Sequence, residues 1–143
     1  MFESELALMA ALRKLYKTLD DSLSRNLKEL GVSTTDYLIM SILNGTGPIP
    51  MQKLREYVLI SSGSITYATN RIIGKGYVMK VQDHDDKRMY HVQLTSKGEI
   101  FYAQINEQHL PYISQLLSSF SNEELKKITK EITNLSNSVE DNK

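Results

Sequence analysis

The sequence predicts a mainly α-helical domain carrying one small β-hairpin. Apolar residues recur at threes and fours through most of the 143 residues, the period of helices with one buried stripe. Only residues 77–94 switch to short β-branched and aromatic runs parted by a polar loop. Glycine punctuation at Gly31, Gly45-Thr46-Gly47-Pro48 and Gly74-Lys75-Gly76 closes successive periodic segments.

The first segment, from about Ser4 to Leu30, carries Leu8, Leu12, Leu15, Leu19, Leu23, Leu27 and Leu30 as one stripe, with Gly31 as its stop. At ~1.5 Å per residue this helix reaches ~40 Å, too long for a small domain to cover alone. Ser33-Thr34-Thr35-Asp36 reads as a capping box with Asp in the usual Glu place, starting a helix with Tyr37, Leu38, Met40, Ile42 and Leu43. Pro50 suits the first turn of a short helix through Val58, with Leu54 and Val58 inward. Ser61 or Ser62 caps the next helix, to about Ile73, with Ile65, Ala68 and Ile72 inward.

Two β-like runs follow, 77–81 and 89–94, joined by the polar loop 82–88. Thr95 caps a helix containing Ile100, Phe101 and Ile105, and Pro111 is expected to kink or restart it. Ser121-Asn122-Glu123-Glu124 is a second capping box, opening a helix whose Leu125, Ile128, Ile132, Leu135 and Val139 form a narrow seam for another helix. Surplus apolar stripe at both chain ends predicts an intertwined homodimer.

The chain has no Cys, which excludes disulfides, thiolate metal sites and thiol redox chemistry. An acidic N-terminus and the lack of a long apolar run predict no signal peptide, no membrane span and a cytoplasmic location. His84, His91 and His109 lack metal-ligand spacing, so neither metal nor cofactor is expected. Gly45-Thr46-Gly47 lacks the Gly-Lys-Ser/Thr that completes a phosphate loop, and no nucleophile has an identifiable base, so no enzyme is expected. The 17 basic and 17 acidic residues cancel overall but not locally. Residues 49–98 hold eight basic and four acidic groups, while both flanking segments are net acidic. A basic middle suits phosphate contact, because screened attraction acts over ~10 Å.

From Ser33 to Gly98 the chain resembles the MarR family of winged helix-turn-helix transcription regulators. The resemblance rests on Ser33-Thr34-Thr35-Asp36-Tyr37, on Ile60-Ser61-Ser62-Gly63-Ser64-Ile65-Thr66, and on Arg71-Ile72. It continues through Lys75-Gly76-Tyr77-Val78, Asp86-Lys87-Arg88 and Leu94-Thr95-Ser96-Lys97-Gly98. The run Ser62 to Tyr67 looks most like the branch that answers quinones or organic hydroperoxides, although this chain has no Cys. Ile73 and Gly74 stand where the family often has Glu and Lys.

The resemblance implies a winged-helix DNA-binding lobe over 32–98 and a helical dimerisation region formed by 1–31 and 99–143. It makes the 61–73 helix a recognition helix. Ser62, Ser64, Thr66, Tyr67, Asn70 and Arg71 point away from its apolar face, and such groups meet base edges and phosphates, although Ser62 can be spent on capping and Arg71 can pair internally. Asp86, Lys87 and Arg88 correspond to the wing, with Asp86 orienting an arginine toward the minor groove. The implied partners are a pseudo-palindromic double-stranded operator, a second copy of the chain and a small aromatic effector. Tyr16, Tyr37, Met40 and Met51 are the expected effector residues, near the junction of the long helices with the lobe. Two functions stand open: a DNA-binding regulator, with repression relieved by a phenolic or quinone-like ligand, and a winged-helix protein-interaction module that has lost DNA binding.

Overall fold

The computed structural model describes residues 1–58 and 62–143, without the side chain of Ser62. The expected capping role of Ser61 or Ser62 therefore lies outside the described residues. Two compact units result, Met1–His109 and Leu110–Lys143.

In the first unit, α1 (Glu3–Glu29) ends in a Schellman turn. Gly31 takes φ 85°, and the Val32 and Gly31 N–H groups donate to the carbonyls of Leu27 and Lys28, both at 3.0 Å. This turn also buries Leu27 and Val32. Helix α2 (Thr34–Thr46) starts where Ser33 Oγ accepts the Asp36 N–H at 3.1 Å. The capping box expected there is only half formed, because the Asp36 carboxylate turns to α4 instead of back to Ser33.

A two-residue strand β1 (Ile49–Pro50) precedes α3 (Met51–Val58). Its pairing was not expected: two residues carry no periodicity, and a proline tolerates only an edge position. Helix α4 (Ser62–Gly74) ends in a second Schellman turn, with Gly76 at φ 83° and the Tyr77 N–H donating to the Ile72 carbonyl. The hairpin consists of β2 (Val78–Gln82) and β3 (Tyr90–Leu94). The sheet order is β1-β3-β2, all antiparallel, with Ile49 opposite Val92 and Val78 opposite Leu94. The core joins Leu27, Ile39, Met40, Leu43, Leu54, Ile65, Ile72, Val78, Val92 and Ile105.

Helix α5 (Ser96–Leu116) begins on this core. Thr95 Oγ1 donates to the Gly76 carbonyl at 2.6 Å and accepts the Gly98 N–H at 3.0 Å, locking the helix start onto the α4–β2 turn. Gly98 is needed there because any Cβ would collide with the Tyr77 carbonyl. Of the kink or restart expected at Pro111, the restart does not occur: α5 continues through it to Leu116.

The second unit contains the end of α5 and helix α6 (Asn122–Asp141). Ser121 and Glu124 form the reciprocal capping box, each side chain pairing with the other's N–H at 3.1 Å. None of α6's residues is buried, and Ile128, Ile132 and Val139 of its seam stay exposed.

Candidate nucleic-acid interface

Helix α4 has one apolar and one polar face. Ile65, Ala68, Thr69 and Ile72 are buried, and the Thr69 hydroxyl donates to the Ile65 carbonyl at 2.6 Å, so it stays within the helix. Ser64, Tyr67, Asn70 and Arg71 lie on the exposed side, with Tyr67 72% accessible. Thr66 is half-buried, and its Oγ1 accepts from Arg55 Nη2 of α3 at 3.3 Å. The side chain of Ser62, also expected on this face, lies outside the described residues.

The hairpin tip is ordered by its own carboxylates. Asp83 Oδ2 accepts the N–H groups of Asp85 and Asp86 at 3.2 and 2.9 Å, an Asx-type turn. Asp86 in turn holds Arg88: Oδ1 accepts its backbone N–H at 3.0 Å and its Nε at 3.2 Å, and Oδ2 accepts its Nη2 at 3.3 Å. The Arg88 side chain, then its N–H, hold the Asp86 carboxyl below the usual carboxylate range. Asp86 thus remains charged and keeps the guanidinium aimed. Lys87 stands exposed beside it, and its carbonyl accepts from Gln82 Nε2 at 2.7 Å.

Helices α3 and α4 and the hairpin meet at a cavity of about 220 Å³, whose lining includes Arg55, Thr66, Lys80, Arg88 and Tyr90. Three cations therefore converge there, and Lys80 Nζ also sits 5.6 Å from the Tyr90 ring centre. Arg55 Nε is buried without a hydrogen-bond partner among the described residues. Sequence reasoning did not single out Arg55 and Lys80, and the only signal for them was the local positive balance of 49–98.

Of the two uses the sequence left open for Arg71, the structure shows the internal pairing. Arg71 Nη2 donates to Asp36 Oδ1 at 2.7 Å and to Ser33 Oγ at 3.2 Å, so the side chain turns toward α2. That carboxylate raises the Arg71 pKa further, through the hydrogen bond first and then the charge.

The four expected effector residues are not brought together. Tyr16 is 73% exposed on α1, and Met40 is wholly buried in the core. Met51 lines the cavity at the hairpin. Tyr37 belongs to an internal polar cluster in which its hydroxyl donates to Asn106 Oδ1 at 2.8 Å. Its ring lies 5.5 Å from Tyr102 and 4.9 Å, edge-on, from His109. Burial, with Tyr102 alongside, pushes the Tyr37 hydroxyl up to about 12.

A helix pair followed by a third helix and a small antiparallel hairpin defines the winged helix-turn-helix class of DNA-binding transcription regulators. The chain matches the MarR family model over residues 32–90. Its relatives include the HTH-type transcriptional regulator MhqR of Bacillus subtilis strain 168. It is 27% identical over 130 residues, which cover 91% of this chain and 90% of that protein. The fold matches a mutant MarR from E. coli solved with operator DNA, at TM-score 0.82 and 18% identity over 94% of this chain and 97% of that one. It also matches the organohalide-sensing regulator RdhR in its 2,4-dichlorophenol-bound form, at TM-score 0.80 and 24% identity over 94% and 80%.

Proposed function

We propose that this chain is a sequence-specific transcriptional repressor that binds a pseudo-palindromic operator as a homodimer in the cytoplasm. The observation that carries the reading is the convergence of α4 and the hairpin on one cationic surface, with Arg88 held in place by Asp86. Ser64, Thr66, Tyr67 and Asn70 would enter the major groove, with Ser62 at the helix start. Arg88 and Lys87 would reach the neighbouring minor groove or its phosphates, because a narrow groove concentrates negative potential. Two protomers would place their recognition helices about one helical turn, ~10 bp, apart.

The dimer reading is supported by exposed apolar residues on both terminal helices: Leu6, Leu8, Met9 and Leu15 on α1, and Ile128, Ile132 and Val139 on α6. Release by a small phenolic or quinone-like ligand completes the proposal, and RdhR, bound to 2,4-dichlorophenol, supplies a structural precedent. Among the four expected effector residues Tyr37 has the strongest case, because its ring and hydroxyl already sit in an aromatic, amide-lined setting.

Gel shifts with the DNA upstream of the protein's own gene test the reading across a salt series. A specific complex that weakens steeply with salt is expected, and Arg88→Ala should reduce the slope by ~0.9 for each phosphate that Arg88 neutralises. No salt-sensitive complex with any DNA would leave the protein-interaction module as the better account.

A further inference from the structure

The tie between α2 and α4 is built around one buried carboxylate. The Asp36 side chain is only 3% exposed, yet both of its oxygens are occupied by cations of the α4 end and the turn after it. Arg71 Nη2 lies 2.7 Å from Oδ1 and Lys75 Nζ lies 3.4 Å from Oδ2. Arg71 and Lys75 are four residues apart, so they project on the same side from adjacent turns. Ser33 Oγ closes the circuit, accepting from Arg71 and from the Asp36 N–H that it caps.

The rest of the α4 seat is mainly apolar, with Ile65, Ala68 and Ile72 in the core, plus the longer 3.3 Å hydrogen bond from Arg55 Nη2 to Thr66 Oγ1. Apolar contact holds the helix against the core but is non-directional, so it fixes the register of the helix less sharply than directional bonds do. Charge-assisted hydrogen bonds to a fixed carboxylate are directional. Moving α4 along its axis by one residue, ~1.5 Å, would break the short Arg71 hydrogen bond. Reading base edges from α4 requires side chains placed to within ~0.5 Å.

We propose that Asp36 is a positioning residue that sets the pose of the recognition helix on DNA, with Arg71 acting as its tether instead of as a DNA contact. This rests on the DNA-binding reading above and says which residues make that reading specific. It separates two kinds of basic residue: Arg88, aimed outward by a carboxylate at the exposed hairpin tip, and Arg71, drawn inward by a carboxylate in the core.

The test uses the full-length chain, a fragment that the unmodified protein selects from a random DNA pool, and an unrelated duplex of equal length. Asp36→Asn removes a negative charge from the side of the recognition helix, so electrostatics alone would tighten binding to any DNA. Positioning requires the opposite for the selected fragment: affinity weaker by ~10-fold, the size of one mismatched base pair. Binding to the unrelated duplex should hold or tighten, so the specificity ratio collapses.

Arg71 and Lys75 keep 41% and 48% of their side chains accessible, so either cation can reach water when the carboxylate is neutralised. If Asp36→Asn nonetheless fails to fold, Arg71→Lys decides the matter. Lysine keeps the charge but is shorter and lacks the guanidinium whose Nη2 reaches Ser33 Oγ and Asp36 Oδ1 together. Positioning predicts the same weakening for the selected fragment with an unchanged salt slope, and a phosphate contact predicts near-normal binding. Selected DNA bound normally by the folded variants would overturn this proposal and leave the DNA-binding reading intact. Failure of the unmodified protein to select any DNA would overturn both.

Discussion

The unit Met1–His109 closes its own core around the sheet and α2 to α4, whereas α6, in the unit Leu110–Lys143, buries no residue. Both carry helix-period apolar stripes, so patterning alone does not separate them. The difference lies in topology. Helices α2, α3 and α4 are short and separated by tight turns, which fold their stripes onto one another. Helix α6 is 20 residues long, and its seam of Leu125, Ile128, Ile132, Leu135 and Val139 faces outward for much of its length. A seam of that kind is suited to association, and a closed core to presenting α4 rigidly.

The largest expected effect comes from breaking the open region. Ile128→Asp combined with Ile132→Asp should dissociate the proposed homodimer and weaken operator binding ~100-fold or more, since the second half-site is no longer tethered. Light scattering for mass and anisotropy for affinity measure both. An unchanged mass and affinity would mean the seam has another use. In the closed region, Leu54→Ala should cost ~2–5 kcal/mol of stability in denaturant while leaving the mass in solution unaltered, because Leu54 is fully buried.

A smaller effect is expected from pH. His109 is buried, with Nδ1 2.8 Å from Asn26 Oδ1, and burial lowers its pKa. A group whose folded pKa is depressed contributes stability above its unfolded value of ~6.5 that is lost as pH falls toward the folded value. Tyr37, pushed up to about 12, stays neutral throughout that window. Melting temperature should therefore drop as pH falls below about 6.5, and His109→Gln should flatten that drop. Identical pH dependence in the two proteins would remove His109 from the account.

The elements legible in the sequence were those specified locally. Periodicity located the six helices among the described residues, Gly31 and Gly76 occupy left-handed turns, and Ser121 with Glu124 forms the capping box. The difficulties were non-local. Asp36 reads as a helix cap until its partner Arg71, 35 residues away, is brought beside it. Arg71 reads as a polar-face residue for the same reason. The strand β1 is too short for any pattern, and its existence depends on β3 being alongside. Pro111 signals a kink or a restart by local rules, and α5 carries it to Leu116 without restarting. At the candidate interface, the link between Asp86 and Arg88 was legible through the family resemblance of the wing, while the convergence of Arg55 and Lys80 with Arg88 needs the sheet.

The central claim, that α4 reads sequence while the hairpin supplies attachment, is tested most directly by selecting DNA from a random pool with the unmodified chain and with Asn70→Ala. Asn70 is exposed on α4, and its amide can pair with a base edge but carries no charge. The account predicts a two-fold-related consensus for the unmodified chain, and for Asn70→Ala a consensus relaxed at one position in each half-site with the salt slope preserved. The same consensus from both proteins, or none from either, would contradict it.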